Sequence, residues 1–322
     1  MKKILSIDAH CDTVLKSYRQ GVTFLDNGGV THIDIAGLKT IKPHIQFLAL
    51  FCDSFKTSEH YHGVMELIDY FYRELSQGQR DVVLIENNDN LASCVEYDRL
   101  GIILAVEGAY LLVDNLHRIE ELYRLGVRCI SFTWNPGNGL SGGIGDSSDK
   151  GLTMQGKAAV KKINDLGMLI DVSHISRKGF WDIIELTDRP VIASHSNCLS
   201  ICRHVRNLDD RQLTALGKLG GVIGVDFVPD FLGSDKSSVS GIADHIEHII
   251  EKAGIDSVGL GSDFDGTEEL PRGISGAEGF SKIYEELLKR GYGDLEAGKI
   301  MGGNFHRVIK QALAGDIPHQ GG

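Results

Sequence analysis

Apolar residues along this chain fall into short runs separated by amphipathic stretches. Eight runs rich in β-branched residues and leucine read as buried parallel strands, at 5–9, 45–51, 101–106, 127–133, 169–173, 191–194, 221–227 and 258–262. Between them the apolar period lengthens to that of helices. Residues 61–76 place Val64, Leu67, Ile68, Phe71 and Leu75 on one face. Residues 153–166 form a second helical pattern, with Thr153 as N-cap and Gly167 as its stop. A third, 207–216, opens on Asn207 with two aspartates in its first turn, and a fourth spans 240–252 with Ile242, Ile246, Ile249 and Ile250. Strands alternating with helices predict a parallel α/β architecture. Eight of them favour a closed (β/α)8 TIM-type barrel over an open sheet, and the helical pattern after about residue 264 predicts a C-terminal helical extension. No linker, repeat or low-complexity segment interrupts 1–322, so a single domain is expected. Residues 136–151, crowded with Gly, Ser and Asp, read as a long flexible loop over the barrel mouth.

Composition narrows the function classes. A net charge of -11 disfavours a general nucleic-acid binder, which needs a basic face. No apolar run reaches the roughly 18 residues of a membrane span, and the start, Met1-Lys-Lys-Ile-Leu-Ser, is too short for a signal-peptide core. The six cysteines are dispersed and fit reduced, buried thiols better than a disulfide framework. Cytoplasm is the expected compartment.

The candidate chemistry sits where the predicted strands end. His10 and Asp12 follow the first, Glu107 the third, His174 the fifth, His195 the sixth and Asp263 the eighth. In such a barrel the carboxyl ends of the strands converge on one mouth, where active sites lie. His10 and Asp12, two apart, share a face and could grip one ion; the bland alternative is a surface histidine beside an N-capping aspartate. Glu107 has two oxygens and could bridge two cations, though a lone glutamate is more often a surface partner. His174 and His195 each follow a serine; singly, each would pass for a hydrogen-bonded structural residue. Together, imidazoles and carboxylates suit Zn²⁺ or another borderline first-row ion. Other motifs are weaker. Gly151 to Ala158 lacks the Ser/Thr and the preceding strand of a phosphate loop, and Asp263-Phe-Asp-Gly lacks calcium-loop spacing. His245 and His248 fall on a helix without the Glu of a zinc-protease motif and read as a solvated face.

These residues carry a family resemblance. The stretch Gly151-Leu-Thr…Asn164-Asp-Leu-Gly-Met-Leu-Ile-Asp171-Val-Ser-His174 resembles the membrane (renal) dipeptidase family, binuclear zinc dipeptidases of the amidohydrolase-like barrels. Asp8-Ala-His10-Cys-Asp12, Val106-Glu107-Gly, Ser194-His195-Ser, Val205-Arg206-Asn207 and Ser262-Asp263-Phe support it, so the resemblance spans residues 8 to 266. It implies that His10 and Asp12 bind one zinc, His174 and His195 the second, and that Glu107 bridges. It further implies that Asp263 sits by the metal-bridging hydroxide, where a strand-end carboxylate can act as general acid/base, that Arg206 holds the substrate's terminal carboxylate, and that a small dipeptide is the substrate. Asp8 could orient a ligand from behind. Relatives often form dimers and often accept D-residues at the second position, so a homodimer and a D-residue are both open here. One departure stands out. Relatives carry a Thr-His pair after the fourth strand, whereas Thr133 here precedes Trp134-Asn135. Either Asn135 supplies a polar contact to substrate or the pocket is wider. The alternatives are lactone, amide or phosphoester hydrolysis on the same metal pair, or a non-catalytic metal-binding barrel.

Overall fold

The computed structural model describes residues 4–314, apart from 55, 57–58, 78–80 and 234–236. Nine strands form among the described residues: β1 (Ser6–Asp8), β2 (His44–Phe51), β3 (Val82–Leu84), β4 (Leu100–Glu107), β5 (Val127–Ser131), β6 (Leu169–Asp171), β7 (Ile192–Ala193), β8 (Val222–Val225) and β9 (Val258–Leu260). All pairings are parallel, in the order β2-β1-β9-β8-β7-β6-β5-β4, and β2 pairs again with β4. Eight strands therefore close the expected barrel. The unpredicted β3 pairs with Leu100 to Ile102 of β4, below the Leu104 to Val106 stretch taken by β5. Three half-buried residues are too few to show a strand period in sequence.

The longer helices are α1 (Thr13–Gln20), α2 (His60–Leu75), α3 (Asn88–Glu96), α4 (Arg118–Arg124), α5 (Met154–Asp165), α6 (Arg177–Leu186), α7 (Asp210–Lys218), α8 (Val239–Ala253), α9 (Gly279–Lys289) and α10 (Asn304–Ala312). Thr153 caps α5 as expected, its hydroxyl accepting from the Gly156 amide at 3.0 Å. The expected start of α7 moves. Its cap is Asp209, which accepts from Arg211 and Gln212 while the Gln212 side chain returns the bond. Asn207 instead donates to the carbonyls of Cys202 and Phe231 at 2.9 and 2.8 Å.

Two further expectations change. His245 is buried, because it lies on the same helical face as Ile242, Ile246 and Ile249; its Nδ1 accepts from the Cys198 amide at 3.0 Å. His248 is half-buried and pairs with Asp210 at 2.8 Å. The loop 136–151 is tied down rather than loose. Asp146 accepts from the amides of Gly137 and Gly143, and bridges join Ser141 to Leu152 and Gly143 to Ile175. A Cβ on Gly142 or Gly143 would collide with the carbonyl oxygen of Lys150 or Asn135, so this wall needs bare backbone.

Strand alternation separates two apolar layers. Leu48, Leu50, Ile102, Leu104, Ile130, Ile170 and Val225 pack outward against the helices. Ile7, Ile45, Phe47, Ile103, Leu169, Ile192 and Val222 fill the interior with Phe305 of α10. Phe305 occupies the space a side chain on Gly259 would need, which plugs the amino end of the barrel. The carboxyl ends of the strands frame a cavity.

Candidate active site

Beyond β1 the chain passes through His10 and Asp12 before α1 begins. His10 Nε2 lies 3.6 Å from Asp12 Oδ2, 3.5 Å from Glu107 Oε2 and 3.9 Å from Asp263 Oδ1. Burial pushes the His10 pKa down, but Glu107 and Asp12 outweigh it and raise the group well above its ordinary value. Burial would raise Glu107, yet His10 and His174 bring it below the usual carboxylate range. His10 Nε2 and Asp12 Oδ1 are buried without a hydrogen-bond partner. Orphaned buried polar atoms are costly, and a cation between them would satisfy both.

The other oxygen of Glu107 serves the opposite side. Oε1 lies 3.1 Å from His174 Nε2 and 3.8 Å from His195 Nε2. His195 Nδ1 donates to Ser194 Oγ at 2.8 Å, because that hydroxyl gives its own proton to Asp171 Oδ2 at 2.6 Å. His174 Nδ1 donates to Asn135 Oδ1 at 2.9 Å. Both Nε2 atoms therefore carry lone pairs, and they sit 2.8 Å apart. Lone pairs so close repel unless a cation lies in the cleft they share. Burial, reinforced by Arg206, holds His174 down to about 3; burial and His10 hold His195 well below its ordinary value. Both rings stay neutral, the form in which an imidazole can bind a metal.

Asp263 follows β9 with φ of +58°, and His174 and Asp265 also have positive φ, at +66° and +71°. Such strain concentrates where side-chain aim matters. Burial and the nearby Asp226 carboxylate raise Asp263 well above the carboxylate range. Arg206 is buried, donates to the His195 carbonyl at 3.0 Å and lies 5.7 Å from the Phe231 ring. Its Nε has no hydrogen-bond partner, and Asp226 and Asp263 act on its charge without a salt bridge among the described residues. Above these groups opens a cavity of about 420 Å³ lined by Asp12, Glu107, Asn135, His174, Arg206 and Asp263. His10 and His195 lie beneath, their rings 3.9 Å apart. All eight residues singled out in the sequence converge here.

Comparison with known proteins decides the family. Residues 1–319 match the model of the membrane dipeptidases, peptidase family M19. The chain belongs to the membrane dipeptidase family. It is 32% identical over 308 residues to an uncharacterized dipeptidase of Schizosaccharomyces pombe, covering 89% of this chain and 73% of that protein. Its fold matches a crystal structure of dipeptidase AC, an M19 metallopeptidase, with a TM-score of 0.89 at 25% identity over 97% of this chain and 99% of that one. A metallopeptidase from Rhodobacter sphaeroides, liganded with a phosphinate mimic of L-Ala-D-Ala, matches with a TM-score of 0.87 at 24% identity over 97% and 100%. This dipeptidase is thus a metal-dependent hydrolase of dipeptides. Among its described residues no helix is long and apolar enough to cross a membrane.

Behind the ligand candidates of the dipeptidase lie two matching clasps. Asp8 accepts from the Ser262 amide and hydroxyl at 2.7 and 2.6 Å and from Gln46 at 2.8 Å. It meets His10 only through the backbone amide, at 3.5 Å, so it steadies the turn rather than the imidazole. Asp171 accepts from the amides of Ser173 and Ser194 at 2.9 Å and from the Ser194 hydroxyl. Each aspartate thus grips the serine that precedes the next site residue, Asp263 or His195. The serines beside His174 and His195 are visible in the sequence, but their partners are not. Sequence reasoning misses Asp226 altogether. It is buried, accepts from the Val228 amide at 2.6 Å, keeps its other oxygen unpartnered, and is pushed by burial to about 7. Val225-Asp226-Phe227 repeats the apolar-then-acid pattern of Val106-Glu107, which is the signal that could have found it. Gly266 is a second residue the motifs pass over: a Cβ there would lie 2.6 Å from Asp12 Oδ2 and collide with Asp263 Oδ1.

Proposed function

We propose that this dipeptidase works with two zinc ions, one held by His10 and Asp12, the other by His174 and His195, with Glu107 shared. The division of the Glu107 oxygens between the two groups supports this, as do the orphaned atoms and the mixed nitrogen and oxygen donors. When bound, the ions supply Lewis acidity that polarises the scissile carbonyl and makes water nucleophilic near neutral pH. Asp263 takes the proton of the attacking water and returns it to the leaving amine; its raised proton affinity suits that transfer. Asn135 fixes the His174 tautomer and, from the cavity wall, offers its amide to the substrate. The whole chain acts as one catalytic domain, and five buried, unpaired cysteines suit a reducing cytoplasm.

Arg206 carries the choice of a free dipeptide. A buried guanidinium without a paired carboxylate is poorly compensated, and a free dipeptide brings the missing anion whereas a lactone does not. Arg206→Ala should cut kcat/KM roughly 10²-fold on free dipeptides and little on C-terminally amidated ones. Equal losses on both substrate types would reject the clamp. Elemental analysis of the wild type should find about two zinc ions per chain. The mimic bound by the Rhodobacter relative recommends including D-residues at the second position of the test panel.

A further inference from the structure

The mouth has unlike walls. Around an eight-stranded barrel β2 stands four places from β7 in either direction, so Phe51 at the end of β2 faces the β7 loop that carries Arg206. Phe51 pairs in register with Glu107. Trp134, just past β5, leans on it with ring centroids 5.2 Å apart at 61°, and lies 6.2 Å from the His174 ring. Both aromatics are half-buried and line the cavity. Their apolar faces are partly open to solvent where a ligand would sit, and covering such faces is favourable.

We infer that Phe51 and Trp134 form the pocket for the side chain of the substrate's N-terminal residue and select a bulky apolar one, aromatic or branched aliphatic. The inference rests on the Arg206 reading. With the C-terminal carboxylate at Arg206 and the scissile carbonyl over Glu107 and the histidines, the N-terminal residue extends toward β2 and β5. The lining that follows β2, β4 and β5 is Phe51, Glu107, Trp134 and Asn135, and Glu107 is turned to the histidines. It holds no cation for an acidic side chain. The cavity's other cations, Lys16 and Arg19, stand on α1, which packs against β2; Lys16 is engaged by Asp265 at 3.4 Å and Glu268 at 3.9 Å.

The test compares kcat/KM for free dipeptides that share a C-terminal alanine and begin with Gly, Asp, Leu or Phe. The wild type should favour Leu and Phe by about tenfold or more, the scale on which apolar pockets discriminate. Trp134→Ala should lower Leu and Phe by roughly tenfold and leave Gly within about twofold, while Trp134→Phe keeps most of the preference. A wild type that prefers Asp or Gly, an equal loss on all four, or loss of bound zinc in Trp134→Ala would overturn the inference. A binding readout is independent of turnover. The chain has 2 tryptophans, so Trp181→Phe leaves Trp134 as the reporter. Its emission should change with a phosphinate mimic of Phe-Ala and much less with one of Gly-Ala; equal changes would count against the pocket. An amidated Phe dipeptide separates the two readings. If it turns over as well as the free one, the Arg206 clamp fails while the Phe-over-Gly ranking still reports on the aromatic wall.

Discussion

Glu107 turns one oxygen toward His10 and Asp12 and the other toward His174 and His195, and the two neighbourhoods differ in how they are held. In the first, an imidazole and a carboxylate come from a single strand end, with Asp263 close by. Carboxylates dominate and draw the His10 pKa upward, so positive charge is favoured at this position. In the second, two imidazoles come from separate strands, each fixed through Nδ1 by its own partner, Asn135 or Ser194, and burial keeps both neutral. The first group collects negative charge; the second offers two preset lone pairs. Under the two-zinc reading both sides anchor metal, and the first, through Asp263, also manages protons.

The largest expected effect removes what the halves share. Glu107→Gln should lower activity by on the order of 10³-fold or more and reduce zinc in both halves, whereas His10→Ala should retain about one ion per chain. Elemental analysis beside steady-state rates reads both, and one ion kept in Glu107→Gln would mean that the carboxylate does not bridge. Next comes the proton-handling side. Asp263→Asn keeps size and cannot accept a proton, so kcat should fall on the order of 10²–10⁴-fold with zinc content and Tm unchanged. Loss of zinc would instead make Asp263 a ligand and erase the distinction drawn above.

The two clasps sharpen the comparison at smaller amplitude. Ser194→Ala removes the acceptor of His195 Nδ1 and should weaken one zinc by about 10–100-fold in a chelator titration. Ser262→Ala only loosens the turn before Asp263, so it should lower kcat with less effect on metal affinity. Identical outcomes would show that the halves are not organised differently. The smallest effect is a control far from the mouth. His44 is buried beside Ser6 and Gln46, and burial lowers its pKa to about 4. The folded protein holds this ring neutral while the unfolded chain protonates it near 6.5, so the contribution is complete above that pH and is lost as pH falls toward 4. The loss should reach roughly 3 kcal/mol, at about 1.4 kcal/mol per unit. Melting curves of wild type and His44→Gln should diverge across that window, and parallel curves would remove His44 from the account.

Much of this is legible in the order of residues alone. Eight apolar runs and their helical spacers predict the barrel, because burial between helices and interior demands β-branched strands, and period is a local property. His10, Asp12, Glu107, His174, His195 and Asp263 are legible because each follows such a run. What the sequence leaves open is contact across the barrel. It cannot say that Asp8 clasps Ser262, 254 residues away, or that Asp171 clasps Ser194. Asp226 passes as part of a strand, His245 as solvated and 136–151 as a loose loop, since burial depends on what packs against a residue. Which Glu107 oxygen faces which histidine, and the facing of Phe51 toward Arg206, follow from closure alone: pairing β2 with β4 turns positions far apart in sequence into opposite walls of one cavity. Local chemistry chose the candidate residue types; ring closure decided their neighbours.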